Sequence, residues 1–157
     1  MKAKAITDFA LTLGIEIALN PNLTVEKGGR FYLLNSTLEP IVQQNFFYAG
    51  LFLGKAKDGK FFPSFNLLSM LAKKDANKVF LDRKAAWLFI CGRDVLAKSI
   101  TRVCGSVRKH SNVLILNEFS ECLGFGRIVG NLNDRTKSEE IAVRNVSDIG
   151  DFLRRER

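Results

Sequence analysis

The chain has 157 residues, 46% of them hydrophobic, and 24 Lys and Arg against 16 Asp and Glu give a formal net charge of +8. That is apolar chain enough for a core and length enough for one medium or two small domains, which excludes a disordered protein. No apolar run approaches the ~18–20 residues of a membrane helix, so no membrane partner is expected, and Asp8 and Glu16 interrupt any signal-peptide core.

From the N-terminus, Ile6, Phe9, Ala10, Leu13 and Ile17 recur at helical spacing and predict a helix over Ala3–Ala18, ended by Asn20-Pro21-Asn22. Leu23–Lys27 and Arg30–Leu34 flank Gly28-Gly29 as a hairpin. Ser36 and Glu39 form a capping box that predicts a helix through Ile41, Val42 and Phe46. A second hairpin, Leu51–Lys55 with Lys60–Phe65, turns at Asp58-Gly59, and Asn66–Lys74 reads as a short helix. At Asn77 the rhythm changes. Val79–Leu81 predicts a strand, and Ala86–Cys91 is apolar throughout and reads as another strand, broken by Gly92. Asp94 would cap a helix running to Ser99. Val113–Leu116, Leu123–Val129 and Glu140–Val146 read as strands, followed by a closing turn at Asp148–Phe152. The fold class is α+β: a small mixed unit over residues 1–75, then a compact β-barrel over 76–157.

Catalytic chemistry finds little support. Cys91, Cys104 and Cys122 have no CxxC spacing and fit small core residues in a reducing compartment. His110 is the sole histidine, which excludes a His-rich metal site and leaves a Ser/His/Asp triad one possible base. No metal or other cofactor is expected. Gly124-Phe125-Gly126 misses the dinucleotide-loop spacing, its third glycine, Gly130, falling one residue late. These glycines fit a sharply bent barrel strand.

The charge is unevenly typed. Residues 1–75 carry eight Lys and one Arg against six acids; residues 76–157 carry five Lys and ten Arg against ten. Arginine's planar fork binds phosphate bidentately and stacks on bases, so the second part is expected to meet a polyanion. Arg127 follows the glycine bend. Arg154, Arg155 and Arg157 cluster at the end and are expected to form a phosphate clamp with Arg144 and Lys137. Lys98 and Arg102 would share a face if the helix begun at Asp94 continued. Lys55, Lys57 and Lys60 ring a hairpin tip, where charges usually serve solubility. Phe46-Phe47-Tyr48 and Phe61-Phe62 cannot all point inward and mark an interface. Trp87 falls in an apolar run and fits the core.

Lys78–Leu81 with Ala86–Ser99 resembles the opening of a PUA domain, the pseudo-barrel named for pseudouridine synthases and archaeosine transglycosylases. Leu123-Gly124-Phe125-Gly126, Ile141–Val143 and Asp148-Ile149-Gly150-Asp151-Phe152-Leu153-Arg154 resemble, more specifically, the large-subunit ribosome assembly factors of archaea and eukaryotes. The resemblance covers the chain and is strongest from Asn77 onward. It implies an N-terminal α+β domain serving as scaffold and protein-contact surface, and a C-terminal PUA domain that binds U-rich or single-stranded RNA. It implies a non-enzymatic, monomeric factor in pre-rRNA processing, with assembly factors or exosome components as partners. The location would be cytoplasmic in an archaeon and nucleolar in a eukaryote; the compact N-terminus points to the archaeal kind. The family's basic positions fall on Arg144, Arg154 and Arg155, with Arg157 as an extension. The other readings are an adaptor for an RNA-processing complex and an accessory RNA-modification protein.

Overall fold

In the computed structural model, residues 3–41, 45–106, 108–133, 139–151 and 154 are described. In chain order they form α1 (Lys4–Thr12), β1 (Thr24–Lys27), β2 (Arg30–Leu33), a 3-10 turn (Glu39–Ile41), β3 (Leu51–Lys57), β4 (Lys60–Pro63), α2 (Phe65–Ala72), β5 (Lys78–Leu81) and α3 (Arg83–Ile90). There follow β6 (Val95–Leu96), a second 3-10 turn (Ala97–Ser99), β7 (Ile100–Cys104), β8 (Asn112–Leu116), β9 (Cys122–Ile128) and β10 (Ile141–Asp148).

Two tight turns set the first sheet. Gly28 and Gly29, and likewise Asp58 and Gly59, all take positive φ, the conformation that matches a two-residue turn to the strand twist. They pair β1 with β2 and β3 with β4 in an antiparallel sheet of order β1-β2-β3-β4. α1 is shorter than its apolar spacing predicts. It stops at Thr12 because Gly14 turns to φ +76, where a Cβ would stand 3.0 Å from the Asn77 amide. The capping box at Ser36 fails: Asn35, not Ser36, accepts the backbone N–H of Leu38, and the 3-10 turn over Glu39–Ile41 takes the helix's place. Val42 of the expected helix lies outside the described residues. α2 forms one residue earlier than expected, capped by the Ser64 hydroxyl on the Leu67 N–H.

The second sheet has the order β6-β10-β9-β8-β5-β7. Its two edge strands, β6 and β7, are joined by the 3-10 turn over Ala97–Ser99, so a three-residue link draws the edges together and curls the sheet into a pseudo-barrel. Two expectations are corrected here. Ala86–Cys91 belongs to a helix, not a strand: Asp82 caps α3 by accepting the Ala85 N–H, and Ala85, Ala86 and Phe89 face inward. Asp94 caps no helix. It accepts the Asn145 N–H, while Val95–Leu96 pairs with β10 and Ile100–Cys104 becomes a strand beside β5.

β9 bends where its glycines predict. A Cβ at Gly126 would stand 2.5 Å from the Arg144 carbonyl, and one at Gly124, at φ +151, would strike the Ser147 carbonyl, so neither tolerates a side chain. The register against both neighbours slips beside them.

Two apolar clusters fill the molecule. One lies inside the barrel, with Val79, Leu81, Phe89, Val113, Ile115, Ile128 and Val143. The other joins Ile6, Phe9, Leu13, Phe31, Leu53, Leu67 and Leu68 to Phe80, Leu114, Leu116 and Phe125 of the barrel wall. The alternation of β8 explains the split: Val113 and Ile115 face the barrel, Leu114 and Leu116 the N-terminal half.

Candidate nucleic-acid interface

The barrel face turned toward the N-terminal half carries more than apolar residues. On β9, Phe125 packs edge-on against Phe9 at 5.2 Å, and Arg127, two residues on, emerges on the same face. The register sets Arg127 between Asn112 of β8 and Arg144 of β10, making one row across three strands. Asn112 donates to the Thr12 hydroxyl at 2.9 Å, which fixes that end of the row against α1. Arg127 and Arg144 are exposed, directly opposite each other, and neither forms an ion pair among the described residues. Like charges placed opposite on a sheet destabilise it, and a bound polyanion reverses that cost.

Other expected site residues are engaged within the fold. Arg154 donates to the Ile90 carbonyl, to Asp148 Oδ2 at 2.7 Å and to Asp151 Oδ1 at 2.9 Å. Its bond to Asp148, opposed by desolvation and reinforced by Asp151, raises its pKa above the usual arginine value. Asp148 is buried, and its Oδ2 also accepts from the Asn145 amide, which donates in turn to the Phe89 carbonyl. Arg154 thus ties the closing segment to the C-terminus of α3, where a cation complements the helix dipole. Lys98 lies in the second 3-10 turn and pairs with exposed Glu139, whose pKa falls through that hydrogen bond and charge. Arg102 lies on β7, its guanidinium 3.7 Å above the Phe80 ring. Lys98 and Arg102 therefore share no helix face, because Ile100–Cys104 is extended. Lys137, Arg155 and Arg157 lie outside the described residues.

Sequence reasoning gave little weight to the basic surface on the first sheet. Lys27 pairs with Arg30, Arg30 with Lys55, and Lys55 with Phe62, a row crossing all four strands; Lys57 and Lys60 stand opposite each other beside it. The opposite face holds Phe31 and Leu53 in the core, with Phe61 packed against it. Lys27 is held by Asn45 and the Phe46 carbonyl, over the Phe46 ring. The signal was legible: Lys27-Gly28-Gly29-Arg30 and Lys57-Asp58-Gly59-Lys60 are both two-residue turns that force their flanking cations to face each other. Aromatics interleave with the charges. Phe62 is 46% exposed with Lys55 Nζ 5.9 Å from its ring centroid, and Tyr48 is 59% exposed, edge-on to Tyr32. Phe47 is also exposed, so part of each flagged aromatic cluster does face solvent.

A cleft of about 1370 Å³ connects the two surfaces. Arg30, Lys55, Lys57 and Lys60 line it from the first sheet and Arg127 from the barrel, with Tyr48, Phe52 and Phe62 among them. Asp151, also in the lining, is engaged by Arg154. Cations interleaved with exposed rings are the chemistry that suits an anionic polymer with planar groups. Among the described residues no group of three His, Cys, Asp or Glu is placed to hold a metal ion. Burial pushes the Cys122 thiol up to about 11, a backbone hydrogen bond at Gly124 opposing it only in part, which makes it a poor nucleophile. Two placements differ from expectation. Cys91 is exposed, and Trp87 is 65% exposed, because the inward face of α3 is taken by Ala85, Ala86 and Phe89.

A curled six-stranded sheet, its edges linked by a short turn and its wall packed on a small α+β unit, defines a PUA-domain protein. The chain belongs to the UPF0113 PUA domain family, whose sequence model matches residues 77–157, just over half of it. It is 28% identical over 112 residues to the UPF0113 protein of Archaeoglobus fulgidus, covering 70% of this chain and 63% of that one. It is 26% identical over 119 residues to the 60S ribosome subunit biogenesis protein NIP7 of Saccharomyces cerevisiae, covering 74% and 66%. The match thus spans less than two thirds of either relative's length. A conserved PUA domain protein of Thermoplasma acidophilum has the same fold over 96% of this chain and 91% of its own, at a TM-score of 0.62 and 19% identity.

Proposed function

We propose that this chain is an RNA-binding factor of large ribosomal subunit assembly. It would act in pre-rRNA processing without catalysing a reaction, and grip U-rich or single-stranded RNA on the barrel face around Arg127 and Arg144. Membership of a PUA family and similarity to a ribosome biogenesis protein support the reading. The observation that carries it is the Arg127–Arg144 cross-strand pair, exposed and without a carboxylate among the described residues. Lys137, Arg155 and Arg157 are proposed to extend this grip. Arg154 is assigned a positioning role, since its donors are engaged by Asp148, Asp151 and the Ile90 carbonyl. Lys98 and Arg102 are peripheral, one paired with Glu139 and the other stacked on Phe80. The chain would work as a monomer beside other assembly factors or exosome components.

An adaptor role is favoured by one feature, the exposed Trp87 and Leu88 on α3, an apolar pair suited to a protein partner. The deciding experiment is an anisotropy titration of labelled oligouridylate at several salt concentrations. Arg127→Ala with Arg144→Ala is expected to weaken binding about tenfold or more and to flatten the slope of log K on log[salt] by about 1.4, at ~0.7 per lost contact. Unchanged affinity and slope would remove the arginine row from the RNA site.

A further inference from the structure

We propose that the exposed face of the first sheet is a second RNA surface, on which single-stranded RNA continues from the arginine row through the cleft. Its phosphates would lie on Arg30, Lys55, Lys57 and Lys60, and a base would stack on Phe62. The inference rests on the RNA-binding reading above and extends it from the barrel to the N-terminal half.

Three observations carry it. Arg30 faces Lys55 and Lys57 faces Lys60 in the sheet register, and none of the four forms an ion pair among the described residues. This concentration of opposed like charge costs stability wherever no anion covers it. Phe62 lies directly across from Lys55 and is 46% exposed, although Phe61 beside it packs against the core. A flat ring beside a lysine suits a nucleotide, whose base takes the ring and whose phosphate takes the ammonium. Finally, the cleft joins these residues to Arg127, so one strand can touch the cations of both halves within a single cleft whose aromatic side chains lie between them. An acidic protein segment would satisfy the lysines but would leave the ring without a stacking partner, and this favours RNA.

The test uses the full chain and labelled oligouridylate of about twelve nucleotides. Lys55→Ala/Lys57→Ala/Lys60→Ala is expected to weaken binding about tenfold or more and to lower the salt slope by about 2. Phe62→Ala is expected to weaken binding about fivefold or more at an unchanged slope, because stacking releases no counterions. These side chains are exposed, so the melting temperature should stay the same or rise as like charges are removed. In a Trp87→Phe background, Phe62→Trp supplies a fluorophore whose quenching on RNA addition reports stacking directly. Affinity and slope within twofold of wild type for the lysine variant would overturn the proposal, and so would an unquenched fluorophore. If Arg127→Ala/Arg144→Ala abolishes binding while the sheet variants bind normally, this inference falls and the RNA-binding reading stands. If the unaltered chain binds no RNA at low salt, both fall. Loss of an acidic protein partner by the lysine variant, with RNA binding intact, overturns it in favour of a protein surface.

Discussion

Residue chemistry in this molecule follows from what each side chain finds nearby. Cys122 donates to the Gly124 carbonyl from a partly buried position, and burial raises its thiol from 9.0 to about 11. Cys91 sits in the open just past α3. Iodoacetamide at pH 8 should therefore modify Cys91 well before Cys122, with Cys122 reacting faster as pH approaches 11; mass spectrometry of timed digests reads this, and equal rates would contradict it. The sign for stability follows from the same shift. Cys122 holds its proton more tightly folded than unfolded, so its contribution is intact below about 9 and lost as pH rises toward about 11. None of this was legible in the sequence, where three cysteines look alike. What was legible was Arg127, because a residue following Gly-x-Gly on a bent strand is aimed by backbone the glycines leave open. Arg154 looked equally cationic, but its partners Asp148 and Ile90 meet it only in the folded chain.

The elements divide by how local their causes are. Both hairpins are written in two-residue turns and both formed, the second with its first strand running on to Lys57 and its second ending at Pro63. The failures share one form, a local signal outvoted by pairing. The run Ala86–Cys91 is too apolar for its period to separate helix from strand, and the Asp82 cap decides for helix. Asp82→Ala should lower unfolding free energy by about 1 kcal/mol. Asp148→Ala should lower it by roughly 1.5–3 kcal/mol, since it removes buried, charge-assisted bonds to Asn145 and Arg154. Glu139→Gln, at an exposed pair, should leave stability unchanged. Urea denaturation with a constant m-value checks all three; an Asp148→Ala midpoint equal to wild type would remove the closing segment's anchoring role.

Across the whole molecule, sequence halves and cores do not coincide. Residues 1–75 and 76–157 hold separate sheets, yet one apolar cluster takes Phe80, Leu114, Leu116 and Phe125 from the second and Ile6, Phe9, Leu67 and Leu68 from the first. Asn77 stitches them: its N–H donates to the Leu13 carbonyl, its carbonyl accepts from Leu114, and its side chain accepts from Ser106. The intact chain is expected to unfold in a single calorimetric transition. A 77–157 fragment would expose those four apolar residues, bind a hydrophobic dye and aggregate; two resolved transitions, or a fragment that stays monomeric and dye-free, would show independent cores. By itself the sequence determined the class, the hairpins, the barrel half and the concentration of arginine there, because turns, periodicity and side-chain type act over a few residues. Only the tertiary structure decided which cations remain uncommitted. Arg154 and Lys98 find carboxylates, Arg102 finds a ring, and Arg127 meets the lysine face of the first sheet across one cleft. Charge neutralisation depends on distances between residues far apart in the chain, and folding alone sets those.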